Sequence, residues 1–239
     1  MKNDSNYIDF GERGRFNIKN KLNELTGKEW IKFTKSWFIH KPPRRKETEI
    51  LHPAKYPESL VKEFIEFFTK KNEWVIDPFM GTGSTLIASA ESQRNCVGIE
   101  LQKKYHKISS DRINKLETDN KIIPLLGSSF ELNKLLIKKN IQQDFDYCIT
   151  SPPYWNQLER NSIRQKNRKE NGLDTIYSKS KNDLGNVKDY NEFLDQQSLI
   201  FDNIYDVMKP GGYLTIITNN IYADGRLFPL AFDTAASLI

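Results

Sequence analysis

Residues 74–85 read WVIDPFMGTGST. A short apolar run ends on a carboxylate, Asp77. A turn holding Pro78, Phe79, Gly81 and Gly83 follows, and Ser84 opens a stretch of helical character. This is a strand that hands a glycine turn to a helix. Gly81 and Gly83 permit torsions and a close backbone approach that a side chain would block. Ser84, Thr85 and the amides of the helix's first turn would face a ligand there. The pattern is not GxGxxG, and no Gly-Lys-Ser/Thr follows, so nucleotide hydrolysis is disfavoured.

Working outward, apolar runs at 96–100, 122–126, 145–150 and 213–218 read as further strands. They alternate with helical patterns beginning near Ser84 and spanning 102–116, 130–139, 189–208 and 227–238. Strands alternating with helices predict an α/β fold, a mostly parallel sheet with helices on both faces. Such sheets bind ligands at the carboxyl ends of their strands. Glu100 ends the second strand 23 residues after Asp77, where a carboxylate suits the two hydroxyls of a ribose. Upstream, Leu60, Phe64, Phe67 and Phe68 give 58–71 an amphipathic helical face. Leu22, Leu25, Trp30, Phe33 and Trp37 fall on or near one helical face of 22–38, interrupted by Gly27. Residues 1–20 read as a flexible arm, and KPPRRK (41–46) as an exposed basic turn. The expected organisation is a basic N-terminal arm and helical segment over 1–50, then one domain over 51–239.

The chain has 239 residues, 38% of them hydrophobic, which fills one core. Charged residues are 28% with both signs mixed, which argues against long-range disorder. There is no apolar run of membrane-spanning length and no secretory pattern at the N-terminus, so a cytoplasmic protein that crosses no membrane is expected. Cys96 and Cys148 both lie in strand-like runs, against a disulfide framework. His40, His52 and His106 lack metal-ligand spacing, so no metal is expected. The net charge of +5 is uneven. Residues 1–50 hold twelve Lys/Arg against seven Asp/Glu, and residues 156–188 hold eight against four. Residues 189–239 reverse this with two against seven. The two basic segments are either solvated surface or a face for a polyanion. Arg44 and Arg45 in the first, and Arg160, Arg164 and Arg168 in the second, are the candidate phosphate contacts.

A second turn, TSPPYW (150–155), follows the fourth strand. Pro152 and Pro153 make it rigid and remove two amide donors while leaving carbonyls to accept. Ser151 adds an acceptor, and Tyr154 and Trp155 add aromatic faces. An exocyclic amine on a base is a poor nucleophile because its lone pair is delocalised into the ring. Hydrogen bonds from its two protons to Ser151 and the Pro152 carbonyl would hold that lone pair toward an electrophilic methyl group. Tyr154 would stack on a base flipped out of the helix. The work of such a site is positioning and polarisation, with no covalent intermediate.

DPFMGTGST (77–85) followed by TSPPYW resembles the DNA amino-methyltransferases, which use S-adenosylmethionine to methylate cytosine N4 or adenine N6. The resemblance covers roughly residues 50–239. It implies a Rossmann-like methyltransferase sheet with S-adenosylmethionine as cofactor. Asp77, Pro78, Phe79, Gly81, Gly83, Ser84, Thr85 and Glu100 would then hold that cofactor. HPAKYPESL (52–60) is similar to the family segment that helps hold the methionine moiety, which adds His52 and Pro53. Family members with Ser before the prolines tend to be cytosine-N4 enzymes, so Ser151 points to cytosine N4 in double-stranded DNA. A cognate restriction endonuclease is an expected companion.

The sequence departs from the family in three places. Gly127-Ser128-Ser129 stands where the family often has an acidic residue near the third strand's end. About 65 residues separate the two motifs, too few for a recognition domain between them. Recognition is therefore expected from 156–188, from 1–50 or from another chain. The family sheet normally ends in a C-terminal hairpin of two further strands. The sequence reads as lacking it, which would leave an exposed edge or call for a complementing segment. Carbon-5 methylation is set aside because neither cysteine sits on a turn. Adenine-N6 methylation, RNA guanine-N2 methylation, protein glutamine methylation and a non-catalytic DNA-binding subunit stand as rivals.

Overall fold

The computed structural model describes residues 7–9, 11–13, 15–17, 19–40, 57–155, 183–223 and 225–239. In chain order the elements are β1 (Tyr7–Asp9), β2 (Arg15–Asn17), α1 (Gly27–Phe33), α2 (Glu58–Phe68), β3 (Trp74–Asp77) and α3 (Ser84–Glu91). Then come β4 (Asn95–Glu100), α4 (Lys103–Ile113), β5 (Ile122–Leu126), α5 (Leu132–Lys138) and β6 (Phe145–Thr150). α6 (Tyr190–Tyr205), β7 (Met208–Ile216), β8 (Ile221–Ala223), β9 (Arg226–Phe228) and α7 (Leu230–Ala236) follow.

The central sheet has the order β5-β4-β3-β6-β7, and every pairing in it is parallel. The chain enters at β3, steps out to β5, then returns to build β6 and β7 on the other side. The direction of winding reverses between β3 and β6, and crossover chirality opens a crevice at their carboxyl ends. Both predicted turns leave the sheet there, the glycine turn from β3 and TSPPYW from β6.

Alternation along the strands separates two cores. Ile76, Val97, Ile99 and Cys148 face one side, with Leu132 and Leu136 of α5 and Phe201 and Ile204 of α6. Val75, Cys96, Tyr147 and Ile149 face the other, with Val61 and Ile65 of α2 and Leu86 and Ala88 of α3. A third cluster gathers Trp155, Leu184, Phe193, Ile200, Ile221 and Leu230 at the crevice end.

Four expectations are corrected. Within 1–20, β1 and β2 pair as an antiparallel hairpin, Ile8 opposite Phe16, so this part of the arm has regular structure. Helix α1 begins at Gly27, because Thr26 caps it and Glu29 closes the capping box. Gly27 thus starts a short helix, and 22–38 does not form a single one. Phe33 stacks on Phe67 at 4.0 Å, while Trp37 is 69% exposed and leaves the predicted face. Strand β7 begins at Met208, so Pro210-Gly211-Gly212 lies inside it. The register slips between Phe145 and Tyr147 to absorb the irregularity, which an edge strand tolerates. The predicted last helix starts at Leu230 because residues 221–228 form the β8–β9 hairpin. Gly225, at φ 75°, turns that hairpin, and the Asp224-Gly225 pair is the sequence signal for it. The hairpin is a two-stranded sheet of its own.

Candidate functional site

The glycine turn is built around a buried carboxylate. Asp77 is 0% exposed. Its Oδ1 accepts from the Phe79 backbone N–H at 3.0 Å and from the Thr150 hydroxyl at 2.6 Å. Its Oδ2 accepts from the Thr85 hydroxyl at 2.5 Å. Thr85 is therefore turned inward, and Ser84 is buried as well, against the expectation that both hydroxyls face a ligand. The backbone of the turn is pinned from several sides. The Met80 N–H donates to the Ile99 carbonyl at 3.0 Å. The Ser129 hydroxyl donates to the Pro78 carbonyl. Arg112 of α4 donates to the Thr82 carbonyl at 2.7 Å and pairs with Glu58.

Gly81 and Gly83 have φ of 52° and 83°, the left-handed region that side chains disfavour. A Cβ on Gly83 would sit 2.9 Å from Ser109 Cβ. That glycine therefore serves the close packing of α3 against α4 as well as the turn.

Glu100 closes β4 beside this turn. Its Oε1 accepts from the Gln102 backbone N–H at 2.7 Å. Burial pushes its carboxyl up to about 7. Backbone N–H bonds from Gln102 and Gly81 pull the other way, and the charges of Asp183 and Asp77 raise it further. Asp183 is itself buried, and its Oδ1 caps the Gly185 N–H at 2.9 Å. Next to β5, the Ser128 hydroxyl is buried with no hydrogen-bond partner among the described residues. Sequence reasoning missed Asp183, which follows the long basic stretch with no motif around it.

The second turn leaves β6 at Thr150. The Ser151 hydroxyl donates to the Ile217 carbonyl at 3.0 Å. Its single proton is thereby committed, so the Tyr154 hydroxyl at 3.0 Å is the donor in the bond between them. Ser151 Oγ is left as an acceptor. Burial raises the Tyr154 hydroxyl above its ordinary pKa. Trp155 is buried, donates its indole N–H to the Lys188 carbonyl at 2.9 Å, and packs against Tyr190 and Phe228. Phe79 of the first turn and Tyr154 of the second both pack on this crevice cluster.

The fold thus brings Asp77, Pro78, Phe79, Gly81, Gly83, Ser84, Thr85 and Glu100 together with Ser151, Pro152, Pro153 and Tyr154. His52, Pro53, Arg44, Arg45, Arg160, Arg164 and Arg168 lie outside the described residues. Of the basic stretch 156–188, only 183–188 is described. Among the described residues, no three His, Cys, Asp or Glu side chains gather to hold a metal ion. No described helix is long and apolar enough to cross a membrane.

Comparison with known proteins bears on the first turn above all. The DNA methylase family matches residues 5–111. That stretch contains the glycine turn and Glu100 and ends before TSPPYW. The type II methyltransferase M.HinfI of Haemophilus influenzae is 32% identical over 124 residues, covering 52% of this chain and 31% of that protein. The type II methyltransferase M.BglI of Bacillus subtilis is 34% identical over 91 residues, covering 38% and 26%. M.MthZI of Methanothermobacter thermautotrophicus is 39% identical over 71 residues, covering 29% and 20%. The chain thus spans at most about a third of the length of these relatives. Among solved structures, an rRNA methylase from Streptococcus thermophilus aligns with 17% identity and a TM-score of 0.42, over 68% of this chain and 70% of that one. Residues 5–111 are thus similar to the DNA methylase family, and these relatives of the chain are named type II methyltransferases.

Proposed function

We propose that this chain transfers a methyl group from S-adenosylmethionine to an exocyclic amine of a DNA base, with cytosine N4 as the acceptor. The observation that carries this reading is the state of Ser151. Its proton is held by the Ile217 carbonyl, so its oxygen is aimed as an acceptor, which is what an amine with two protons requires. Tyr154 stands beside it with a ring to stack on a flipped base.

The cofactor fits the residues present. A half-buried carboxylate with a raised pKa is short of donors, and the two hydroxyls of a ribose would supply them to Glu100. Phe79 and the backbone of Gly81 and Gly83 would line the methionine side, and the Ser128 hydroxyl, without a partner among the described residues, would serve the adenine. When bound, S-adenosylmethionine supplies a methyl on a positively charged sulfur. Ser151 and the Pro152 carbonyl orient the amine. Tyr154 holds the ring plane, and the third cluster keeps that side of the crevice apolar. So held, the nitrogen lone pair would face that methyl, and the proton the nitrogen sheds on transfer would pass to solvent.

The relatives are named type II methyltransferases, which supports a place in restriction and modification, with a cognate endonuclease as companion. Arg44, Arg45, Arg160, Arg164 and Arg168 would meet the phosphates of double-stranded DNA.

Transfer of labelled methyl from S-adenosylmethionine to duplex DNA, with nucleoside analysis, tests the reading. N4-methylcytosine is the expected product. N6-methyladenine would move the acceptor, and label only in RNA would overturn DNA as the substrate. Tyr154→Ala should cut transfer about 100-fold or more while holding cofactor affinity within about threefold, since this reading gives it the base and no part of the cofactor. Equal losses of both would remove Tyr154 from that role.

A further inference from the structure

We infer that Asp77 is a strut that sets the methyl-donor turn at a fixed distance from the methyl-acceptor turn, and that Thr150 is its grip on the acceptor side. The inference rests on the reading of the two turns given above. Asp77 ends β3 and Thr150 ends β6, and these strands are neighbours in the sheet, Ile76 opposite Cys148. One fully buried carboxylate takes the Thr150 hydroxyl, the Thr85 hydroxyl and the Phe79 N–H. Thr85 belongs to the first turn of α3, Phe79 to the glycine turn, and Thr150 immediately precedes Ser151. The side chain therefore joins both strand ends, the start of the helix and the base of the acceptor turn.

A buried carboxylate is costly unless donors surround it, and bonds to an ionised acceptor are short and directional. Such a group resists displacement. Thr150 is held a second way, because its carbonyl accepts the Ile217 N–H at 2.8 Å. The Ile217 carbonyl in turn receives the Ser151 hydroxyl. The acceptor oxygen is thus referenced to the glycine turn through Thr150 and Asp77. Methyl transfer is an in-line displacement whose rate falls steeply when nucleophile and methyl are misplaced by a fraction of an ångström. Asp77 is on this account a positioning residue that touches neither cofactor nor base.

Thr150→Val keeps the shape and removes the donor, and Thr150→Ser restores it. In Thr150→Val the kcat for methyl transfer should fall about 30-fold, with the Kd for S-adenosylhomocysteine within about threefold of wild type. Thr150→Ser should recover to within about threefold in kcat. In unliganded Thr150→Val, exchange of the Phe79 amide with deuterated water should quicken about tenfold or more, because its acceptor loses its anchor. Should Thr150→Val not fold, Thr150→Ala removes the same donor without the branched methyl. Wild-type kcat in a folded Thr150→Val would overturn the strut, as would unchanged Phe79 exchange or parallel losses of kcat and cofactor affinity. A wild-type chain that methylates no DNA would instead overturn the substrate proposed above. Phe79 exchange, read without substrate, still decides the strut.

Discussion

Glu100 is the residue whose ionisation has the most to say about cofactor binding. Its carboxyl stands near 7, well above the ordinary 4.5, because burial penalises its charge. Hydroxyl donors favour the carboxylate over the acid, so binding a ribose there must displace a proton at pH values below about 7. The Kd for S-adenosylhomocysteine should therefore weaken as pH falls below about 7, by at most about tenfold per pH unit, and stay flat above it. Calorimetric titration across that range checks the slope, and Glu100→Gln should flatten it. The unliganded fold runs the other way. With a folded pKa raised above the unfolded one, the favourable contribution is full below about 4.5 and is lost as pH rises through about 7. A cofactor affinity with no pH dependence would remove Glu100 from the ribose. At this scale the placement was legible in the sequence, since Glu100 closes β4 and meets the Gly81 backbone of the glycine turn. Thr150 was less legible. It lies inside the quoted motif, yet only three-dimensional adjacency reveals that its hydroxyl meets Asp77 across 73 positions.

Among the elements, α3 and α4 meet where a glycine leaves room for them. Gly83 combines a positive φ with a would-be Cβ only 2.9 Å from Ser109 Cβ. Gly211 has nearly the same φ, at 82°, but open space around it. Alanine at each position separates torsion from packing. Gly211→Ala should cost about 1 kcal/mol, the torsional penalty alone. Gly83→Ala should cost about 3 kcal/mol, with crowding added. For a chain of this size that is a drop in Tm of about 9 °C against about 3 °C, read by thermal melts. Equal shifts would show that α4 yields freely. The central strands were readable because each is a short apolar run between turn residues. The ends of elements were not. Pro210-Gly211-Gly212 reads as a stop signal, and only edge placement in the sheet lets a strand run through it. Residues 221–228 read as the approach to a helix because the two hairpin strands have just three residues each.

For the whole molecule, charge is the quantity that matters. The positive excess lies in 1–50 and 156–188, while 189–239 is acidic. If the five arginines named above meet phosphates, log K for duplex DNA should fall against log salt with a slope of about −4.5. Replacing Arg160, Arg164 and Arg168 with Ala should flatten it by about 2.7. Fluorescence anisotropy at several salt concentrations measures this, and a slope near zero would leave these segments as solvated surface. Sequence patterning could show where the charge lies along the chain. It could not show that the strand order folds the two turns onto one crevice, which depends on the reversal between β3 and β6.

The two cysteines sit on opposite sides of the sheet, Cys96 among the residues packed on α2 and α3 and Cys148 among those packed on α5 and α6. Both are free and fully buried, and burial raises both thiols far above their ordinary range. Each core layer thus contains its own silent chemical reporter. A thiol reagent can reach Cys96 only when one layer lifts and Cys148 only when the other does. The order in which the two react would show, with no engineered label, which side of the sheet opens first.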